Sequence, residues 1–195
     1  HAGTAPEKIT VITNCSDLDL FQPGDPDPEL VAHFGLQGRF VVGYAGSMGE
    51  ANDVEVLLDA ARRLRDDRPE VCFLLVGQGK QAAALAARVR DLGLSNVVFV
   101  GSLPRQDVAR VLRVFDVALV LFKNLPVLAT NSPNKLFDAL AAGRPVIVNS
   151  DGWTRGLIEA HGVGRYAQPG SGASLADEIR WLCDKSLISD ATPAQ

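Results

Sequence analysis

Apolar residues occur along this chain in short continuous runs, and each run is followed by a segment in which they recur every three or four positions. The first run, FVVGYA at residues 40–45, predicts a buried strand, and the spacing after it predicts a helix over 52–65. The same unit then recurs. Further strands are predicted at 71–76, 96–100, 116–122 and 145–150. Further helices are predicted at 81–92, 107–114, 133–142 and 155–161, and a short GRYAQ segment precedes a last helix at 175–184.

The strands are apolar along their whole length, which indicates burial on both faces, and strands separated by helices run parallel. We therefore predict an α/β fold: a doubly wound, mostly parallel, Rossmann-like sheet with helices on both faces. KITVIT at 8–13 predicts one more, opening strand, followed by a Pro- and Asp-rich loop or hinge at 17–29. The predicted organisation is a single domain with an opening strand, loop and linker at 1–39, a core at 40–185 and a tail at 186–195.

Composition limits the partners of this domain. Its 195 residues carry a net charge of −4, so no general basic field attracts nucleic acid, and we expect no nucleic-acid partner. No apolar run approaches the roughly 20 residues that span a bilayer. Three scattered cysteines, Cys15, Cys72 and Cys183, fit a reducing compartment, so the expected location is the cytoplasm, including the inner face of its membrane. The chain begins at His1 rather than at Met, and we expect it to be part of a longer protein.

Ligands of doubly wound folds bind beyond the carboxyl ends of the strands, and one segment there combines several suitable groups. In NSPNKLFDALAAGRPVIV (131–148), Ser132 is predicted as an N-cap and Pro133 as the first helical residue. The predicted buried stripe consists of Leu136, Phe137, Leu140 and Ala141. Asn134, Lys135 and Asp138 then share the opposite face.

This polar face suits a ligand with a diphosphate and a diol. A helix start and Lys135 favour a phosphate, and Asp138 lies roughly 7.5 Å deeper along the axis than Pro133. The alternative is a capped helix with a solvated polar face.

Three weaker candidates lie at the same edge of the predicted sheet. The loop GSMGEAN at 46–52 has glycines that would let a diphosphate or sugar approach the backbone, although a plain turn explains it equally well. Gly77-Gln78-Gly79 favours a structural turn. Lys123 directs a cation towards the ligand edge or is an ordinary surface lysine.

Charged residues elsewhere favour structural explanations. Two acidic pairs, Asp17 with Asp19 and Asp25 with Asp27, resemble a DxD metal-binding pattern. They lie in a Pro-rich stretch where turn formation is the better explanation, so no metal site is assigned. Arg105, Arg110 and Arg113 share a helix face that we interpret as solvated rather than as a contact for acidic lipid. No histidine has an evident catalytic partner, and no catalytic residue is assigned.

The order of five segments resembles the C-terminal, nucleotide-sugar-binding domain of family 4 retaining glycosyltransferases with the GT-B fold. The bacterial subgroup that builds surface polysaccharides is the most similar in character. The five segments are KITVITNCSDLDLFQP, YAGSMGEANDVEVLLDAARRL, FLLVGQGKQAAAL, NVVFVGSLPRQDVARVLRVFDVALV and SPNKLFDALAAGRPVIV.

The resemblance implies a donor-binding site. It makes Asp138 the counterpart of a glutamate that holds the ribose hydroxyls, and the helix start at 132–135 the diphosphate site. It also places Gly46 and Ser47 near the diphosphate or sugar, and the backbone at 101–103 at the base. With Lys123, the donor-binding residues predicted in this way are Gly46, Ser47, Gly101, Ser102, Leu103, Lys123, Ser132, Asn134, Lys135 and Asp138.

The chain also departs from the family's pattern. Thr130 stands where the family has the first of two glutamates. Ser47 and Asn52 stand where it has an arginine and a lysine, so two usual phosphate cations are absent. We expect Lys123 or Lys135 to replace them.

The implied reaction is transfer of a sugar, with retention, from a nucleotide diphosphate-sugar to an acceptor hydroxyl in polysaccharide or glycolipid synthesis. A UDP-sugar is the favoured donor, and no metal or other cofactor is implied. The acceptor site would belong to an N-terminal domain absent from this chain, so we expect the chain to bind donor without turnover. The full-length enzyme is compatible with peripheral membrane contact. The alternatives are a non-enzymatic nucleotide-binding or signalling module and a nucleotide-sugar epimerase or hydrolase.

Overall fold

A single parallel sheet organises the protein. The computed structural model describes residues 5–10 and 12–191. Within them, the strands are β1 Phe40–Ala45, β2 Val71–Val76, β3 Val97–Gly101, β4 Val117–Val120, β5 Val146–Val148 and β6 Gly164–Tyr166. The helices are α1 Pro28–His33, α2 Val54–Leu64, α3 Ala82–Asp91, α4 Arg105–Leu112, α5 Asn134–Ala141, α6 Trp153–His161 and α7 Gly172–Ala191. Short 3₁₀ turns lie at Pro6–Lys8, Glu50–Asn52 and Pro126–Thr130.

The strand order is β3-β2-β1-β4-β5-β6, and every neighbouring pair is parallel. This confirms the predicted doubly wound fold. From β1, the chain winds outwards first through β2 and β3 and then through β4, β5 and β6, so the order reverses between β1 and β4. The crevice beyond the carboxyl ends of these two strands is the expected ligand position of such a sheet.

Alternate strand residues enter two separate cores, which is why the strands are apolar throughout. On one face, Val42 and Tyr44 of β1 pack with α2, α3 and α7, while on the other Val41 packs with α4, α5 and α6. Helices therefore cover both faces, as predicted.

The two ends of the chain differ from the prediction. Among the described residues of the predicted opening strand at 8–13, none is in a strand, and Ile9 and Ile12 are exposed. Val11 lies outside the described residues. The segment crosses the carboxyl edge of the sheet, where Asn14 and Ser16 bind α5, instead of pairing with an edge strand. At the other end, α7 extends to Ala191 and so enters the predicted tail at 186–195, of which 192–195 lie outside the described residues.

The arginines of the predicted solvated face also hold the N-terminal segment against the α4 region. Arg110 forms an ion pair with Asp27 at 2.6 Å, and Arg113 donates a hydrogen bond to the Gln22 carbonyl at 3.2 Å. The Arg105 guanidinium lies 4.7 Å from the centroid of the Phe21 ring, a cation–π contact. The side chains of Arg105 and Arg110 remain 51% and 50% exposed, so the face is solvated as interpreted, and the contacts with the distant N-terminal segment are the part that the sequence does not show.

The acidic residues of this segment form turns, as expected. The Asp17 carboxylate accepts hydrogen bonds from the Asp19 and Leu20 amides, and the Asp27 carboxylate caps α1 at the Glu29 amide. The Arg110 guanidinium, through its hydrogen bond, is the main cause that lowers the pKa of Asp27.

We predict that Gly77→Ala destabilises the domain by about 3 kcal/mol or more. Gly77 has φ +135°, and an added Cβ would lie 1.9 Å from the Gly46 carbonyl oxygen. Gly35→Ala is the matched control, since Gly35 has φ +66° with nothing within 4 Å of an added Cβ, and we expect it to cost about 1 kcal/mol. Urea unfolding measures both. Equal costs for the two variants would show that the contact with Gly46 adds nothing to the backbone strain.

Candidate functional site

A cleft of about 640 Å³ lies beyond the carboxyl ends of the central strands, a size within the roughly 300–1,000 Å³ of small-molecule sites. Its wall on one side is formed by the loops after β1 and β2, and on the other by α4 and the start of α5. The cleft is thus where the reversal of strand order predicts a ligand site.

The loops after β1 and β2 form one continuous wall through backbone hydrogen bonds. The Gly46 amide donates to the Val76 carbonyl and the Met48 amide to the Gln78 carbonyl, both at 2.9 Å. The Gly77-Gln78-Gly79 segment therefore supports the neighbouring loop, and Gly77 and Gln78 also line the cleft. Its glycines leave room for the neighbouring loop, because an added Cβ at Gly79 would lie 2.5 Å from the Met48 carbonyl oxygen.

Lys135, in the first turn of α5, lies in a pocket of aromatic and neutral polar groups. Its Nζ donates to the Asn52 Oδ1 at 2.8 Å and to the Tyr44 hydroxyl at 3.1 Å. The same nitrogen lies 4.7 Å from the Tyr44 ring centroid and 5.1 Å from that of Phe122. The Tyr44 hydroxyl in turn donates to the Ser47 carbonyl at 2.6 Å.

Burial of this ammonium changes its titration. Removal from water lowers the pKa of Lys135 to about 7. Burial also strongly raises the pKa of Tyr44, so the phenol stays protonated and keeps donating to Ser47.

A buried asparagine fixes the end of β4 beneath Lys135. Asn149 accepts from the Phe122 amide at 2.7 Å and donates to the Phe122 carbonyl at 2.9 Å. The two bonds extend the pairing of β4 with β5 beyond the last strand residues. They hold the Phe122 backbone in place and so position its ring under the lysine.

Asp138 is the second charged group of α5 in the cleft. The prediction placed it on an exposed face, but it is 7% exposed, and the buried residues of α5 are Leu136, Asp138 and Ala139. Its Oδ1 accepts from the Ser16 hydroxyl at 2.6 Å and pairs with Arg105 at 3.4 Å. The N-terminal segment and α4 thus bury Asp138, and both are distant in sequence.

The start of α5 carries no side-chain cap. The N-cap is Pro133 in an extended conformation, not Ser132, and the helix begins at Asn134. The prediction of a Ser132 cap was wrong because Pro133 is extended rather than helical and so displaces the helix start by one residue. Asn14 instead binds this region, donating to the Ser132 carbonyl at 2.7 Å and to the Asn134 side chain.

Most of the predicted site residues come together in this cleft, although their role in binding stays a prediction. Those that line it are Gly46, Ser47, Ser102, Leu103, Asn134, Lys135 and Asp138. Gly101, Lys123 and Ser132 do not line it. Gly101 instead accepts the Gly77 amide at 2.7 Å, and the Lys123 amide donates to the Ala51 carbonyl at 2.9 Å.

Several residues that complete the site were not predicted as part of it. They are Asn14, Ser16, Tyr44, Arg105 and Phe122. The first two lie in NCSDLDLF, which the family resemblance includes, so that segment was the available indication. Tyr44 and Phe122 belong to apolar runs and looked like core residues alone.

The described residues provide few other candidates for chemistry. No cluster of three or more His, Cys, Asp or Glu side chains suitable for a metal ion occurs among them. Cys15, Cys72 and Cys183 are free thiols. Across the same part of the chain, none of the helices combines the length and the apolar character needed to cross a bilayer.

Comparison with known proteins identifies the family. The model of the Glycosyl transferases group 1 family matches residues 39–185. The chain belongs to this family. The match confirms the coarser part of the resemblance, a glycosyltransferase domain of the GT-B type, and favours it over a non-enzymatic module.

Individual relatives are similar over most of the chain. A 2-deoxystreptamine glucosyltransferase of Streptomyces kanamyceticus is 28% identical over 186 residues, covering 93% of this chain and 47% of the relative. A D-inositol 3-phosphate glycosyltransferase of Mycobacterium sp. (strain JLS) is 34% identical over 170 residues, covering 83% and 38%. This chain thus spans less than half the length of either relative.

A solved structure shares the fold. The crystal structure of Anabaena Alr3699/HepE in complex with UDP-glucose superposes with a TM-score of 0.71 and 25% sequence identity, covering 95% of this chain and 50% of that one. The family assignment and this similarity both support a GT-B type fold for this domain.

We predict that Lys135→Met removes a pH dependence of stability. The pKa of Lys135 is about 7 in the fold and 10.5 in its ordinary state, so between these values the unfolded chain binds more protons and wild-type stability rises with pH. Relative to Lys135→Met, the wild-type free energy of unfolding should rise by about 1 kcal/mol per pH unit between about pH 7.5 and 9.

Urea unfolding of both proteins across this range measures the difference. Burial raises the pKa of Cys72, and that of Cys183 to about 11, which makes stability fall at high pH. Both variants share these thiols, so their effect cancels. Parallel stability curves for the two proteins would contradict the burial of Lys135.

Proposed function

We propose that this chain is the donor-binding half of a family 4 retaining glycosyltransferase. It binds a UDP-sugar, and the full-length enzyme transfers the sugar to an acceptor hydroxyl in polysaccharide or glycolipid synthesis. The observation that carries the proposal is the placement of Lys135 and Asp138 on one helix in the cleft between β1 and β4. The two residues are three positions apart, roughly 4.5 Å along the helix axis.

The two groups suit the two ends of a nucleoside diphosphate. An uncapped helix start and a lysine stabilise negative charge on the diphosphate. A carboxylate accepts hydrogen bonds from both hydroxyls of a ribose. The cleft is also lined by Ser102, Leu103 and the apolar Val108 and Leu112, a surface that suits a base.

The proposed reaction requires that negative charge be stabilised at the end of the cleft that holds the diphosphate. Charge develops on the departing diphosphate as the sugar becomes cationic, and preorganised donors that face this charge lower the barrier. The start of α5 and Lys135 supply such donors, so the proposal includes no metal ion. Retention and membership of family 4 rest on the resemblance of the sequence segments.

The relatives support the choice of donor more than that of acceptor. The similar Anabaena protein binds UDP-glucose. The two enzymes named above act on different acceptors, 2-deoxystreptamine and D-inositol 3-phosphate. The acceptor is therefore the part of the proposal that this domain determines least, and we assign it to the half of the enzyme outside this chain.

Thermal unfolding tests donor binding. UDP or a UDP-sugar at about 100 times its dissociation constant stabilises by about 2.7 kcal/mol, which should raise the midpoint by roughly 5–10 °C. We expect the shift with UDP, not with ADP, and unchanged by EDTA. A shift that EDTA abolishes would refute the metal-free part, and no shift with any nucleotide would refute donor binding.

We predict that Asp138→Asn weakens UDP binding by about 10- to 100-fold, the effect of losing charged hydrogen bonds. Wild-type protein should lose the same affinity when UDP is replaced by 2′,3′-dideoxy-UDP, which lacks the ribose hydroxyls. The Asp138→Asn variant should bind UDP and the dideoxy ligand with equal affinity. Titration calorimetry of the four combinations measures the coupling.

Asp107→Asn is the matched control, because this carboxylate lies on α4 outside the cleft, 3.7 Å from Arg110. It changes the net charge equally and should leave UDP affinity within about twofold. Independent effects of variant and dideoxy ligand would mean that Asp138 does not hold the ribose.

For the full-length enzyme, proton NMR of the product tests retention, and an inverted anomeric centre would contradict it.

A further inference from the structure

The hydrogen bonds of Lys135 match those of a neutral amine. Nζ has two acceptors, the Asn52 amide oxygen and the Tyr44 hydroxyl, whose own hydrogen is donated to Ser47. A neutral amine has two N–H donors and a lone pair, whereas an ammonium has three donors. Apart from the faces of the Tyr44 and Phe122 rings, 4.7 and 5.1 Å from Nζ, the third donor of the ammonium has no acceptor among these contacts.

The charges around Lys135 do not neutralise it. Its partners from β1 and the β1–α2 loop, Tyr44 and Asn52, are uncharged, and the Phe122 ring packs from the end of β4. On α5, Asp138 is held by Ser16 and Arg105. Asp53, next to Asn52, faces the charge of Lys123, and burial raises the pKa of this carboxyl.

The amine lies close to the loop that is expected to meet the diphosphate. An added Cβ at Gly46 would lie 3.2 Å from Nζ, so the loop backbone passes close to the lysine, and Gly46, Ser47 and Lys135 line the same cleft. In this loop, Ser47 and Asn52 stand where the family resemblance expects an arginine and a lysine. Asn52 instead accepts a hydrogen bond from Lys135.

We propose that above about pH 7.5 Lys135 is a neutral amine in the empty cleft and becomes an ammonium when the donor diphosphate binds, so that donor binding takes up a proton at this side chain. The proton enters on the lone pair of Nζ from solvent, and the third N–H then donates to a phosphate oxygen. This inference rests on the proposed function and adds a proton to its binding step. The pKa of about 7 agrees with it.

The first test is the pH dependence of UDP binding to the 195-residue chain. Above about pH 7.5 the terminal phosphate of UDP is fully ionised, because such groups titrate near pH 6. Between about pH 7.5 and 9 we expect the dissociation constant to rise about tenfold as the proton becomes harder to take up. Calorimetry at about pH 8 in two buffers of different ionisation enthalpy should show uptake of more than about half a proton.

The second test locates the proton and the ligand group. Lys135→Met keeps an unbranched chain for the aromatic pocket but cannot be protonated. We expect it to weaken UDP binding by about 30-fold or more at about pH 7, to leave uridine unaffected, and to abolish both the pH dependence and the proton uptake. Lys80→Met is the control, since Lys80 is an exposed lysine after β2 that does not line the cleft. It should behave as wild type.

The outcomes separate the two proposals. If wild-type protein binds no UDP, both fail. If it binds UDP with no dependence on pH and no proton uptake, the inference about Lys135 is overturned and donor binding stands. Equal weakening of uridine and UDP by Lys135→Met would also overturn it, because the lysine would then act on the nucleoside or on the fold. The wild-type measurements decide the question even if the variant does not fold.

Discussion

The reversal of strand order between β1 and β4 is the constraint on which the rest of this structure depends. Strands buried on both faces leave only their ends free for chemistry, and parallel strands bring their carboxyl ends to one edge. Where the winding changes direction, the helices on the two faces diverge and the edge opens into a cleft. Within that opening, α5 begins, and its first two turns carry the lysine and the carboxylate on which the proposed function is based.

The segment before the sheet completes the site instead of extending the sheet. Arginines of the α4 region hold this segment against α4. From this position, Asn14 binds the start of α5 and Ser16 binds its second turn. The carboxylate of Asp138 is thereby oriented from outside its own helix. Asn14 and Ser16, which are distant from α5 in sequence, thus hold the start of this helix and the Asp138 carboxylate in place.

Features of the fold and the site could be predicted where they depend on residues close together in the sequence, and could not where they depend on distant ones. Strands and helices depend on local periodicity, so the fold and its edge could be predicted. The burial of Asp138 could not, because it depends on Ser16 and Arg105, which the spacing on α5 cannot show. KITVIT has the composition of a strand, but whether a strand forms depends on a free sheet edge in register. Tyr44 and Phe122 could not be recognised because an aromatic residue in an apolar run gives no sign that its ring also contacts a lysine.

The shared hydrogen bonds of the loops after β1 and β2 also restrict how such a domain can change over evolution. A larger residue at Gly77 would clash with the Gly46 backbone, and a larger residue at Gly46 would press on the Lys135 side chain. Few substitutions that would adapt the cleft to a new donor are therefore tolerated on this wall. Diversification is expected on the opposite wall, in α4 and the residues before α5.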